Sequence, residues 1–233
     1  EPLCGIDADV LERLAARVDV VVHFAGLTDF EPDPKDAARI RSTRVRSGRS
    51  LSGYALPPSS TKAERREIEA KIVAALMTLE GDLKGDYYPL AGSDSYAPKP
   101  GGMTHEQEES MRKQHFLFQE PDSTLLISGS MHRDWPDARG IFHNDARNAL
   151  VWANEEDHMR VISMEMGSDI VAVFSRFVDL CNNVEKVMTK ASGTKFAHSE
   201  HLGYILPCPS NLGTGLRASM MITIPLTGAR PDF

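Results

Sequence analysis

Apolar residues recur at helical spacing in several stretches of this chain. Val10, Leu11, Leu14 and Val18 share one face of a short helix predicted over 7–18. A second helix opens at Thr61 and Glu64, which have capping-box spacing. Ile68, Ile72, Leu76 and Leu79 form its buried stripe, and it ends near Gly81. Thr104 and Gln107 cap a further helix that runs to about His115. The longest is predicted from about Asp169 to Met188, with Ile170, Phe174, Phe177, Cys181, Val184 and Met188 on its stripe, so Cys181 reads as a core residue. Strands are predicted over 19–26, 39–46, 149–153, 160–164, 202–206 and 217–224, and strands are expected to dominate from Leu125 up to the long helix. In the last strand Ala218, Met220, Ile222 and Ile224 are expected to face the core, with Arg217, Ser219, Met221 and Thr223 on the other side. Pro32 and Pro34 mark a linker, Pro57 to Ser60 a break, and 93–102 a surface loop.

Composition narrows the function classes. A chain of 233 residues can bury a core as one domain or two. Its net charge of −7 argues against nucleic acid as a partner. No apolar run approaches a membrane span, so no membrane partner is expected, and no secretory signal is visible at the start. Cys4, Cys181 and Cys208 are odd in number and irregular in spacing, which predicts neither a disulfide framework nor a zinc set and points to a reducing, cytoplasmic compartment.

Three segments carry candidate chemistry. Arg44 and Arg46 are two apart on a predicted strand and so share a face, where two forked cations suit a phosphate. Arg160 and Arg217 are placed to join them; the alternative is a basic edge strand that discourages aggregation. Glu155, Glu156 and Asp157 sit at a predicted hairpin tip, able to hold a guanidinium or to order magnesium-bound water, or simply forming a solvated turn. Cys208 lies between Pro207 and Pro209 with Ser210 two residues on. It reads as a nucleophile, as a thiolate paired with a cation, or as an inert buried thiol. His132-Arg133-Asp134 spells a protein-kinase catalytic loop, but the companion motifs are absent. His198 and His201 lack the further ligands of a metal set.

The segments Ser42-Thr43-Arg44-Val45-Arg46, Gly85 to Leu90, His115 to Phe118, Arg139 to Asp145, Val151 to His158 and Cys208 to Arg217 occur in that order. Together they closely resemble the phosphagen kinases, the ATP:guanidino phosphotransferases, over roughly residues 31 to 226. The resemblance implies an α+β fold, a largely antiparallel sheet flanked by helices as in the glutamine-synthetase-like guanidino kinase domain. It sets a catalytic domain over 31–233, lacking its C-terminal part, after a divergent segment 1–30. The implied reaction is reversible transfer of the ATP γ-phosphoryl group to a guanidino substrate, with L-arginine the first expectation and creatine, taurocyamine or protein arginine the alternatives. ATP or ADP and Mg²⁺ are the implied cofactors. By resemblance Arg44, Arg46, Arg160 and Arg217 clamp the phosphates, Ser42 and Ser219 belong to the same nucleotide site, and His115 contacts the base or ribose. Glu156 orients the guanidinium and serves as base. Cys208 pairs with it as a thiolate, helped by Ser210. Magnesium is held by phosphates and water, with Glu155, Glu156 and Asp157 outside its direct shell.

Two departures accompany the likeness. Met221 stands where the family has a histidine near the adenine, as in the bacterial protein-arginine kinases. No counterpart is found of the family's helical N-terminal domain, its guanidino-specificity loop, or the closing loop expected after Phe233. The rival expectation is therefore a non-catalytic nucleotide-binding fragment or paralogue.

Overall fold

The computed structural model describes residues 39–224; the predicted helix over 7–18, the strand over 19–26, the 31–36 linker and the proposed domain boundary at 30/31 lie outside them. In chain order the elements are β1 (Arg39–Arg49), α1 (Lys62–Leu76), β2 (Gly85–Pro89), α2 (His105–Lys113), α3 (Thr124–Ser128), β3 (Gly140–Asn144), β4 (Ala149–Ala153), β5 (Met159–Met166), α4 (Ile170–Ser192), β6 (His198–Ser199), β7 (Gly203–Tyr204) and β8 (Arg217–Thr223). Six strands form one sheet in the order β2-β3-β4-β5-β1-β8, and every pairing in it is antiparallel. The expected α+β architecture, an antiparallel sheet flanked by helices, is the one observed.

Both capping boxes form. Thr61 and Glu64 close the start of α1, and Thr104 and Gln107 close the start of α2. The stripe of α4 packs with α1 against one sheet face, where Val45, Val151, Val161, Phe142 and Met159 meet Ile68, Ile72, Phe177 and Val184. Cys181 is buried there, as its place on the stripe requires. The opposite face carries a smaller apolar cluster of Leu150, Trp152, Ile162, Phe116 and Phe118. Period-two alternation along β1 separates Val45, bound for the helices, from Arg44 and Arg46 on this second face.

Four expectations change. Leu125 to Ile127 belong to the short helix α3, capped by Ser123, rather than to a strand, because three adjacent apolar residues fix no period. The long helix runs a turn beyond Met188, until Gly193 takes the left-handed conformation that ends it. The strand expected over 202–206 shrinks to Gly203–Tyr204, since Pro207 cannot donate to a ladder and the left-handed Gly203 breaks extension. On β8 the predicted core face is not covered: Ala218 and Ile222 are exposed and Met220 is half-buried, because β8 is the sheet edge and no helix of the described residues lies over it. Within the described residues no helix is long and apolar enough to cross a membrane.

Candidate active site

β1 lies between β5 and β8, and its register builds the cation cluster. Arg44 is opposite Ser219 on β8 and Met164 on β5, while Arg46 is opposite Arg217 and Ile162. Directly paired residues share a face, so Arg44, Arg46, Arg217 and Ser219 point the same way. Arg160 follows on β5, opposite Gly48. Ser42 lies two residues before Arg44 on that face, flanked by Met166 and Met221. Trp152 forms a floor: the Arg44 and Arg160 guanidinium carbons each lie 5.9 Å from its ring centroid, and its indole N–H donates to Phe116 O at 2.9 Å. That bond ties the neighbouring His115, which is exposed, to the same side of the sheet.

The cations are under-compensated. Arg44 and Arg46 form no ion pair among the described residues, and Arg44 Nε is buried without a partner. Burial lowers the pKa of Arg44, and the charges of Arg46 and Arg160 add to the shift. Arg46 is lowered by burial and then by Arg160 and Arg217. Arg44 and Arg46, half-buried side by side and without a direct ion pair, favour an anion, although Glu155 and Glu156 act on Arg46 from a distance.

The acidic turn is not the solvated tip that its composition allows. Asn154 sits in the left-handed region, at φ 52°. Its side-chain amide donates to Arg65 O at 2.9 Å and Ala138 O at 2.8 Å. At the other end the buried His158 accepts from Leu51 N–H through Nδ1 at 3.0 Å and donates from Nε2 to Ala55 O at 3.0 Å. Between these two stakes, Glu155 and Glu156 are partly exposed and Asp157 is fully buried. Their carboxylates surround Arg160, at 2.9 Å for Glu155, 2.9 Å for Glu156 and 3.0 Å for Asp157. The guanidinium held by this turn is thus one of the chain's own. Burial acts to lower the pKa of Arg160, but Glu155, Asp157 and the hydrogen bonds outweigh it and raise it. Burial pushes Glu155 and Asp157 above the usual carboxylate range, and Arg160 only partly offsets this. Gly48 is required beneath them, because a Cβ there would collide with Asp157 Oδ2.

His158 carries a pH prediction. Its burial lowers the pKa to about 4. The unfolded chain binds this proton below about pH 6.5 and the native state only near 4, so native stability is lost as pH falls through that window. The expected loss is on the order of 3 kcal/mol. Glu155 and Asp157, whose pKa values are raised, act in the opposite sense. Urea unfolding of wild type and His158→Gln between pH 7 and 4 isolates the histidine, and the variant is expected to show a shallower acid slope.

Cys208 begins the turn Pro209–Asn211, with its Sγ 3.1 Å from Ser210 Oγ. The thiol is half-exposed rather than buried, which removes the inert-core reading. Arg46, Glu156, Asp157, Arg160, Cys208 and Arg217 line one cleft of about 90 Å³. Six residues predicted from three distant segments therefore meet in one place. Arg44 and Ser219 lie one row further along the sheet, and His115 does not line the cleft. The sequence reading missed the anchors Asn154, His158 and Gly48. A signal for Asn154 existed, since asparagine tolerates the left-handed region in tight turns. Among the described residues no group of three or more His, Cys, Asp or Glu is placed to hold a metal ion.

Known proteins resemble this chain in sequence and in fold. The family model for ATP:guanido phosphotransferase, C-terminal catalytic domain, matches residues 67–231. The flagellar creatine kinase of Strongylocentrotus purpuratus is 50% identical over 211 residues, covering 91% of this chain and 17% of that protein. The lombricine kinase of Eisenia fetida is 47% identical over 219 residues, covering 89% of this chain and 56% of its own length. A crystal structure of lombricine kinase superposes with a TM-score of 0.75 at 40% identity, covering 97% of this chain and 64% of that one. The chain thus spans about half the length, or less, of these curated relatives.

Proposed function

This chain belongs to the ATP:guanido phosphotransferase family, and from that premise we propose that it transfers the γ-phosphoryl group of ATP reversibly to a small guanidino compound. The observation that carries the reading is the cleft in which Arg46 and Arg217, which form no ion pair among the described residues, lie with Glu156 and Cys208. Phosphoryl transfer asks the protein chiefly for alignment and charge stabilisation. Arg44, Arg46 and Arg217 supply cations for the polyphosphate, with Arg160 beside them, and Ser42 and Ser219 flank the same row. His115 and Met221 take the base end, where a thioether replaces a stacking ring. Glu156 orients the guanidinium and accepts its proton. Cys208, with Ser210 donating to its sulfur, is the second negative wall. Magnesium enters with the phosphates, since Glu155 and Asp157 are committed to Arg160 and Glu156 is assigned to the guanidinium.

The expectation of L-arginine finds no support in these relatives, whose names point to creatine and lombricine. We place those two first as substrates. The protein's compartment is proposed to be the cytoplasm, consistent with the thiol of Cys208, which forms no disulfide.

The test is an ATP-dependent phosphorylation assay against creatine, lombricine, taurocyamine, glycocyamine and arginine, with MgADP binding measured in parallel. Turnover of any one supports the reading. Nucleotide binding without turnover assigns the chain to the non-catalytic alternative. The roles separate further by substitution. Cys208→Ala is expected to lower turnover more than ADP affinity, whereas Arg44→Ala is expected to weaken ADP binding directly. Equal loss of ADP affinity in both variants overturns the division.

A further inference from the structure

Arg49 ends β1 and is almost fully buried, yet it has no carboxylate partner among the described residues. Its Nη1 donates to Ser47 Oγ at 2.6 Å, Gly48 O at 2.7 Å and Thr214 O at 3.1 Å. Its guanidinium carbon lies 3.7 Å from the Tyr204 ring centroid and 6.0 Å from that of Phe196. Ser47 Oγ in turn donates to Thr214 O at 2.7 Å. A buried cation without a counterion is expensive unless its surroundings replace the water it has lost. Here carbonyl dipoles and an aromatic face do so, and one of those carbonyls belongs to Thr214. That residue lies between Cys208 and Arg217, on the segment that carries both walls of the cleft.

At its end the segment passes into the β8 ladder at Arg217, opposite Arg46, with Leu216 packed against the main core. Tyr204 and Gly213 exchange backbone bonds, with Tyr204 N–H donating at 2.9 Å and Gly213 N–H at 3.3 Å. Asn211 N–H closes the local turn onto Cys208 O at 2.9 Å. Ahead of that ladder, the bonds to Thr214 O are the ones that tie the segment to β1, the strand that presents Arg44 and Arg46. Leu206 side-chain packing over Gly48 and Gly215 completes the seam.

We propose that Arg49 is a positioning residue for the reaction: it latches the 208–216 segment to β1 and so fixes Cys208 against Arg46 and Glu156, while the β8 ladder sets Arg217 opposite Arg46. The inference rests on the phosphotransferase reading for its catalytic consequence, but not for the latch itself. A small misplacement of aligned groups is enough to lower a rate by about 10²-fold. Arg49→Met removes the fork and the charge while keeping much of the side-chain volume. Arg49→Lys keeps a cation over Tyr204 and one donor for Thr214 O. Ser47→Ala removes the second bond to Thr214 and leaves the charge in place.

The experiment compares amide hydrogen exchange of residues 208–216, ADP affinity by calorimetry, and turnover in these three variants and wild type. Exchange in 208–216 is expected to accelerate in Arg49→Met, with α1 and α4 unchanged, and to recover partly in Arg49→Lys. Turnover is expected to fall by about 10²-fold in Arg49→Met, with a smaller loss of ADP affinity. Wild-type exchange in 208–216 in every variant overturns the latch. So does a parallel loss of turnover, ADP affinity and protection in α1 and α4, which marks a general structural role. If Arg49→Met does not fold, Arg49→Lys and Ser47→Ala decide by the same readouts. If wild type turns over no guanidine, the phosphotransferase reading falls, while hydrogen exchange still decides whether Arg49 holds the segment.

Discussion

Arg160→Met is expected to destabilise the domain by about 3 kcal/mol near neutral pH, the lower end of what removing one partner of a buried ion cluster costs. The side chain of Arg160 is only 10% exposed, and it is the cation shared by Glu155, Glu156 and Asp157. Asp157 is fully buried, and its Oδ1 already lacks a hydrogen-bond partner. Without the guanidinium, these carboxylates have no cation at this distance. Arg46, whose charge now acts on Asp157 and Glu155 from further away, replaces only part of the field. The lower end of the range applies because Glu155 and Glu156 are partly exposed and water screens them. Acid should narrow the difference between variant and wild type. The stranded carboxylates take up protons in the native variant before they do in the unfolded chain, so the penalty shrinks as pH falls. Urea unfolding of both proteins at neutral and acid pH reads this directly. A variant as stable as wild type near neutrality contradicts the cluster account. ADP affinity should fall in the same variant, since the cleft loses one of its three arginines.

Much of this arrangement was legible in the sequence, for identifiable reasons. Strand alternation placed Arg44 and Arg46 on one face without any knowledge of their neighbours. Thr61–Glu64 and Thr104–Gln107 announced two helix starts, because a capping box satisfies backbone donors locally. The stripe of α4 placed Cys181 in the core. What remained illegible depends on contacts distant in sequence. Local pattern does not tell that Asp157 is buried under Gly48, because the two are joined only when β5 pairs with β1. Nor does it show that the carboxylate turn closes on Arg160. The three-carboxylate turn was expected to hold a guanidinium, to order magnesium-bound water or to be solvated, and in the structure it closes on an arginine of this chain. Arg49 was passed over for the same reason: its partner Thr214 lies 165 residues away. The predicted burial on β8 failed because alternation identifies two faces but not which of them is covered.

That internal guanidinium also sharpens the expectation for Glu156. Glu156→Gln is expected to reduce turnover by about 10² to 10⁴-fold, the range for losing a positioned general base, while leaving ADP affinity and stability close to wild type. Three observations support this separation. Glu156 is the most exposed of the three carboxylates that meet Arg160, at 25% against 21% for Glu155 and 0% for Asp157. Its removal leaves Arg160 held at 2.9 Å and 3.0 Å by the other two, so the cluster stays neutralised. It also lines the cleft shared with Cys208, where a guanidinium can lie between a carboxylate and a sulfur without displacing the arginines that face the phosphates. Glutamine keeps the size and one acceptor but neither the charge nor the basicity, so ground-state nucleotide binding survives and proton acceptance does not. Steady-state kinetics with the preferred guanidine, paired with calorimetric ADP binding and urea unfolding, tests all three quantities on one variant. A drop in ADP affinity matching the drop in turnover would assign Glu156 to Arg160 and the phosphates, and would remove it from the guanidinium site.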